Sequence, residues 1–352
     1  MDEVMTAAIL TRHGGLEALE LHRDWPVPRP GPGEVLVRVT AAALNNTDVW
    51  TREGAYGTAA DPDALSGWRG PIDFPRIQGG DIAGVAVESG RRVLVDPAIY
   101  RDGGQDAPPV GLLGSEADGG FAEYVVVPAD QVHDVTASPL SDEELACLPV
   151  AYGTAMGMLE RAGIKAGETV LVTGASGGVG AALVQLAAAR GARAYAVTSA
   201  AKAYAVMELG ASGVILRDAG GTGAAAGDVA EQVRALGPLD AVADVAGGPL
   251  LADLLPLLRD DGRWVIAGAV AGALVQLDLR RLYLHNIRLI GSSMHTRPHF
   301  AELVRTALSG AVRPPVAATH PLASLTEAQQ QFLHHNHVGK IVVRPKLTSI
   351  EA

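Results

Sequence analysis

Residues 169–190 read TVLVTGASGGVGAALVQLAAAR. A short apolar run enters a glycine-rich turn, and the turn opens an alanine- and leucine-rich helix. Strand, glycine turn and helix in that order form the setting in which a G-x-G-x-x-G turn receives a dinucleotide pyrophosphate. The free N–H groups and the positive dipole end of the helix favour the anion. The three pattern positions here are Ala175, Gly177 and Gly180, so alanine replaces the first glycine. Gly177 lets backbone approach a pyrophosphate, and Gly180 lets the helix lie close to the strand. The plainer reading is a tight turn in any α/β domain, but the next strand follows at the right distance and favours a cofactor.

That next strand points to which cofactor. An NAD site places an acidic residue near its end, about 20 residues on, to hold the ribose 2′-hydroxyl. Here the strand ends VTSAAK (residues 197–202), and no Asp or Glu follows until Glu208. Ser199 and Lys202 stand there instead, with Arg217 after the third strand. A carboxylate repels a 2′-phosphate and a cation attracts it, so the expected cofactor is NADP(H). Ordinary solvated surface residues are the alternative for Lys202 and Arg217.

Beyond this stretch, strands and helices alternate from about residue 141. Ser141 and Glu144 form a capping-box signature. ETVLVTG, RAYAVTS, GVIL, AVADVAG, RWVIAG and NIRLIGSSM read as strands with helices between, the pattern of a doubly wound parallel sheet. Residues 298–309 read as a helix. Residues 1–134 are instead β-rich: EVLVRV, DIAGVAVES, RRVLVDP and FAEYVVVP are short strands punctuated by Pro/Gly turns. The irregular stretch at 57–73 is long enough to be a functional lid or wall. VGKIVVRP near the end is a strand that returns to the first domain. The expected domains are therefore 1–134 with 310–352, and 135–309.

Bulk properties narrow the function. The chain has 352 residues, enough for two domains, with 48% hydrophobic residues and a net charge of −11. That charge argues against nucleic acid or an anionic membrane as partner. The one cysteine, Cys147, excludes a disulfide framework and a cysteine zinc cluster. With no signal-peptide pattern at the start and no long apolar run, a cytoplasmic location is expected.

In order along the chain, PRPGPGEVLVRV, NNTD, REGAYG, PRIQGGDIAGVAVESG, DGGFAEYVVVPA, TGASGGVG and GKIVVRP make the sequence resemble the medium-chain dehydrogenase/reductase superfamily over nearly its whole length. The resemblance implies a GroES-like β domain interrupted by a Rossmann domain, an active site in the cleft between them, and hydride transfer with a nicotinamide cofactor. Zinc-dependent members hold catalytic zinc with a Cys, a His and a later Cys or carboxylate. Those positions correspond to Asn45, Gly80 and a residue near Val150, and the segment 97–115, where a structural zinc would sit, has no cysteine. Zinc needs Cys, His or carboxylate ligands, so no metal is expected despite ten histidines. The chain resembles the zinc-free, quinone-oxidoreductase-like branch.

Without a metal to polarise a carbonyl, a conjugated C=C bond or a quinone is the easier hydride acceptor, because neutral donors can steady the resulting charge. The resemblance places Asn45 near the nicotinamide ribose, with an amide that could reach a substrate oxygen, and Thr154 beside the nicotinamide. Tyr56 is the best-placed hydroxyl; anchoring its loop is an equal alternative. Asp48 is expected to satisfy its turn or hold Arg52. Cofactor contacts are expected from Asn45, Thr154, Ser176, Gly177, Gly178, Val179, Ser199, Lys202, Arg217, Gly268, Ser292 and Lys340. Trp50, Trp68, Tyr100, Tyr152, Met294 and His295 are the candidates for the substrate cleft, with loop packing as the plain reading of the tryptophans. The expected substrate is a small, apolar conjugated carbonyl or quinone, and the resemblance implies a homodimer, with NIRLIGSSM as the candidate edge strand. Two other functions stay open: a zinc-free reductase or dehydrogenase of another group in a biosynthetic pathway, and a non-catalytic NADP-binding scaffold or regulator.

Overall fold

A computed structural model of the protein describes residues 3–58, 60, 72–217 and 226–345. The fold is α/β and comprises two compact units, Met1–Val150 with Thr296–Ala352, and Ala151–His295.

The first unit is built on a sheet in which Glu34–Ala43 is central. It pairs antiparallel with Asp81–Ala86, Tyr124–Pro128 and Lys340–Arg344, and Lys340–Arg344 pairs in turn with Val316–Pro321. Ala43 faces Asp81 on one side and Val342 on the other. The chain leaves this strand directly into the helix Asn46–Glu53. A second sheet pairs Val4–Leu10 with Leu19–Pro26 and Arg76–Ile77. Val37, Val39, Ile82, Phe121, Ile341 and Val343 pack into one buried cluster between these layers. Strand residues alternate between faces, so this inner face is nearly all apolar.

The second unit is a six-stranded parallel sheet in the order Gly213–Leu216, Arg193–Thr198, Thr169–Val172, Leu239–Asp244, Leu258–Ile266, Arg288–Gly291. That order reverses beside the first strand, as in doubly wound dinucleotide folds. The helix Gly178–Ala189 follows the first strand, and Thr169–Val172 is buried throughout. Ser141 caps its helix as the sequence implies: its Oγ accepts from the Glu144 N–H at 3.2 Å, and the Glu144 carboxylate accepts from the Ser141 N–H at 2.8 Å.

The units change at 150/151 and 295/296, not at the expected 134/135 and 309/310. Packing explains the shift. Ser138 Oγ donates to Ala307 O at 2.7 Å and His133 stacks near Phe300, which ties the helix Arg297–Ser309 to the first unit. The short helix Asp142–Ala146 packs on the central strands of the same unit.

Candidate functional site

In the first unit the site grows out of the sheet topology. Asn45 follows the end of Glu34–Ala43, Asp81 opens one flanking strand, and Lys340 opens the other. All three side chains are buried: Asn45 is 7% exposed, Lys340 3% and Asp81 0%. The Lys340 ammonium donates to Leu44 O at 2.6 Å, pairs with Asp81 Oδ2 at 2.7 Å, and donates to Asn45 Oδ1. Asn45 Nδ2 donates to Asp81 Oδ2 at 2.9 Å and to Ala43 O at 3.4 Å. Asp81 Oδ1 accepts from the Val150 N–H at 2.6 Å. An ammonium only donates and a carboxylate only accepts, so the Asn45 amide has one satisfiable orientation.

Two expected site residues are thus engaged within the protein. Lys340 directs its ammonium at three protein acceptors, and Asn45 directs both amide hydrogens at protein oxygens. Of the two roles expected for Asp48, the structure shows the one within its own turn and not the hold on Arg52. Arg52, 1% exposed, donates to Gln329 Oε1, Gly14 O and Glu53.

Asp48 instead accepts from the Asn45 N–H at 2.7 Å, while Gln78 Nε2 donates to the Asp48 carbonyl at 2.8 Å. Burial is the main influence on its carboxyl and lifts its pKa to about 7, against the opposing pull of the Asn45 N–H and of Lys340. The unfolded carboxyl loses its proton near 3.8, and the folded one keeps it to about 7. Between those values the fold binds the extra proton, so stability falls as pH rises through that window and levels off above it. Asp48→Asn keeps an acceptor for the Asn45 N–H. We expect its Tm, followed by circular dichroism, to vary distinctly less with pH across that window than the wild type; an unchanged slope would remove Asp48 as the titrating group.

Tyr56 lies edge-on to Trp50, with ring centroids 6.0 Å apart. Its phenol is held above its ordinary pKa chiefly by burial, opposed by a hydrogen bond with Thr47, a residue the sequence reading passed over. Trp68, and most of the 57–73 stretch, lie outside the described residues. The Tyr100 hydroxyl donates to Asp96 Oδ2 at 2.7 Å and its ring lies 4.0 Å under the Arg297 guanidinium. Burial first, and the Asp96 charge next, push that phenol far up. Its hydroxyl is thus committed within the protein.

The second unit carries the dinucleotide turn. Gly174 adopts φ 57°, a left-handed conformation, and a Cβ on Gly180 would fall 2.1 Å from the Gly174 carbonyl oxygen. Only glycine fits at position 180, whereas a Cβ on Gly177 would meet nothing closer than 3.6 Å. Gly177 is exposed at the start of the helix, with Ser176, Gly178 and Val179 half-buried beside it. The Arg217 N–H donates to Thr198 O at 3.1 Å, which brings the third strand's exit to the second strand's end. Lys202 is held below its usual pKa by burial first and by the Arg217 charge second. The two cations therefore sense each other where Ser199 also lies. The hydroxyls of Thr198, 4% exposed, and Ser292, 8% exposed, are buried without a hydrogen-bond partner. Both sit at C-terminal strand ends, where open α/β sheets bind ligands. Turn, basic pair and unmet hydroxyls fit a dinucleotide cofactor.

Asp244, which the sequence reading missed, organises the neighbouring loop. Its carboxylate, 1% exposed, accepts from Thr173 Oγ1 at 2.5 Å, Trp264 Nε1 at 3.1 Å, and the Ala246 and Gly247 N–H groups at 2.9 Å. This loop packs on Gly268, where a Cβ would lie 2.5 Å from Val245 O. Thr154 is 8% exposed. The Tyr152 hydroxyl donates to Gln185 Oε1 at 3.1 Å, and Tyr152 is 1% exposed, so it is packed internally. Met294 adopts φ 53°. His295 is fully buried, its ring against Gly153, where a Cβ would lie 2.3 Å from His295 Nδ1.

Among the described residues, no three His, Cys, Asp or Glu side chains converge so as to hold a metal ion. The amide at position 45, the absent side chain at 80 and the apolar one at 150 make a poor zinc donor set. No helix among the described residues is long and apolar enough to cross a membrane.

Comparison with known proteins agrees with the fold. Residues 31–137 match the alcohol dehydrogenase GroES-like domain family, and residues 178–309 match the zinc-binding dehydrogenase family. A crystal structure of a protein from Sinorhizobium meliloti 1021, assigned as an alcohol dehydrogenase, is 48% identical with a TM-score of 0.90, covering 98% of each chain. The acryloyl-coenzyme A reductase of Sulfurisphaera tokodaii is 28% identical, covering 91% of this chain and 95% of its own. The quinone oxidoreductase of Mus musculus is 26% identical, covering 97% and 98%. The chain belongs to the medium-chain dehydrogenase/reductase superfamily. It is therefore an oxidoreductase that works with a nicotinamide cofactor on small molecules.

Proposed function

We propose that the protein is a zinc-independent, NADPH-dependent reductase of activated C=C bonds or quinones. The Asn45 site is the observation that carries this reading. The positions that resemblance aligns with metal ligands hold a neutral amide, a glycine and a valine, and the amide is spent on Lys340 and Asp81. Such a site offers no Lewis acid to a saturated ketone, but a conjugated acceptor spreads the incoming charge and needs only neutral donors. Bound NADPH supplies the hydride. Tyr56, whose phenol burial keeps neutral, donates to the acceptor oxygen. Thr154 orients the nicotinamide, and Lys202 with Arg217 holds the 2′-phosphate. Two relatives support the substrate class, since they are named for acryloyl-coenzyme A and quinone reduction.

The test is NADPH oxidation against quinones, 2-alkenals, cyclic enones and short enoyl thioesters. Reduction of at least one class is expected from protein free of zinc by elemental analysis. Tight NADPH binding with no acceptor reduced would sink the reading, and so would stoichiometric zinc. We further propose a homodimer through the edge strand Arg288–Gly291; in the sequence before it, Leu274, Leu279, Tyr283 and Leu284 are 65% or more exposed. A one-chain mass by light scattering would refute it.

A further inference from the structure

We propose that Lys340 is a positioning residue for hydride transfer: with Asp81 it locks the Asn45 amide in one orientation and clamps residues 45, 81 and 150 together. This rests on the reductase reading above. Four stretches distant in sequence meet at the lock: Leu44–Asn45, Asp81, the Val150 N–H and Lys340, the last separated from Asn45 by 295 positions. The geometry is saturated. Lys340 has three donors and three acceptors; Asp81 takes Lys340 and Asn45 on Oδ2 and Val150 on Oδ1. Each member is nine-tenths or more buried, so water offers little competition.

The lock acts on the helix Asn46–Glu53 from its first turn. The Asn45 N–H is bound by Asp48, and this helix carries Thr47 and Trp50 and leads to Tyr56. Removing the ammonium takes away the donor that Lys340 supplies to Asn45 Oδ1 and the cation that neutralises Asp81. Asn45 Nδ2 then has only Asp81 Oδ2 and Ala43 O to hold the amide, beside a buried carboxylate without its counter-charge, so the entry to the first turn of the helix is held less firmly. Lys340 touches neither substrate nor cofactor in this scheme. Its effect should appear in kcat, with little change in cofactor affinity.

The experiment uses the full-length protein and Lys340→Ala, a change that leaves room for a small cation. NADPH affinity is read by fluorescence without turnover, stability by Tm, and kcat and KM with an acceptor that the wild type reduces. Expected are a kcat at least about tenfold lower, an NADPH Kd within about twofold of wild type, and saturable recovery of both Tm and kcat by methylammonium but not by ethanol. Unchanged kcat in folded Lys340→Ala overturns the proposal. So does recovery of Tm by methylammonium without recovery of kcat, because that marks a purely structural ion pair. Should Lys340→Ala fail to fold, the double variant Lys340→Met/Asp81→Asn replaces it, since it leaves no buried unpaired charge. The same loss of kcat is expected there, and wild-type kcat overturns the lock. If the wild type reduces no acceptor, the reductase reading fails by itself. The role of Lys340 in hydride transfer then falls with it, whereas unchanged kcat in the variant of an active wild type overturns the lock alone.

Discussion

Replacing Lys202 and Arg217 together by alanine is expected to weaken NADPH binding about 100-fold while changing NADH binding less than about twofold. The reason is local. Arg217 is held by its backbone bond to Thr198 O beside the strand end that leads to Ser199 and Lys202. Lys202 is held below its ordinary range by burial first and by the Arg217 charge second. A dianionic 2′-phosphate placed between them offsets their like-charge repulsion and accepts hydrogen bonds from both, whereas NADH presents only a hydroxyl. Each single variant should fall between the wild type and the double. Isothermal titration with both cofactors decides it: equal losses for NADH and NADPH would mean that the pair shapes the loop and does not read the phosphate.

The second large effect is on stability. Asp244→Ala is expected to cost about 3 kcal/mol or more, a fall in Tm on the order of 10 °C. The carboxylate satisfies Thr173, Trp264 and two backbone N–H groups inside a core where Asp244 is 1% exposed and Trp264 0%. Alanine would leave these donors buried and unpaired, and the loop at Ala246–Gly247 would lose the acceptor that bends it. Asp244→Asn should cost less. Its amide oxygen can still accept from Thr173, Ala246 and Gly247, while its NH₂ would face the Trp264 donor. Because Trp264 reports from the same contact, its fluorescence should change in both variants. A Tm for Asp244→Ala within about 2 °C of wild type would show that water replaces the carboxylate at little cost.

Much of this architecture was legible in the sequence because its signals are local. The parallel sheet shows as apolar runs punctuated by glycine, and Ser141 with Glu144 announces its cap. Weaker elements escaped. Val4–Leu10 reads VMTAAIL, whose alanines carry little strand preference. Leu19–Pro26 exposes most of its charged side chains, and the helix Leu325–Leu333 is rich in glutamine. At the site, the NNTD segment was visible, but its partners were not. Asp81 and Lys340 each open a strand with an apolar middle, and only the antiparallel pairing of both strands with Glu34–Ala43 brings them to Asn45. A charge at the head of each of two buried strands is the one hint that could have exposed the pair. Asp244 escaped for a related reason: its donors come from the end of one neighbouring strand (Thr173), from inside another (Trp264) and from the loop that follows its own.

Cys147 gives the molecule an unplanned use. Its thiol is fully buried, donates to Glu143 O at 3.1 Å, and is pushed well above the ordinary thiol range by burial. Alkylating reagents therefore meet no reactive sulfur on the folded surface. The chain is a natural blank for site-directed spin or fluorescent labels at any cysteine introduced elsewhere. Slow modification of Cys147 itself becomes a clock, ticking only when the region between Glu143 and Val150 opens.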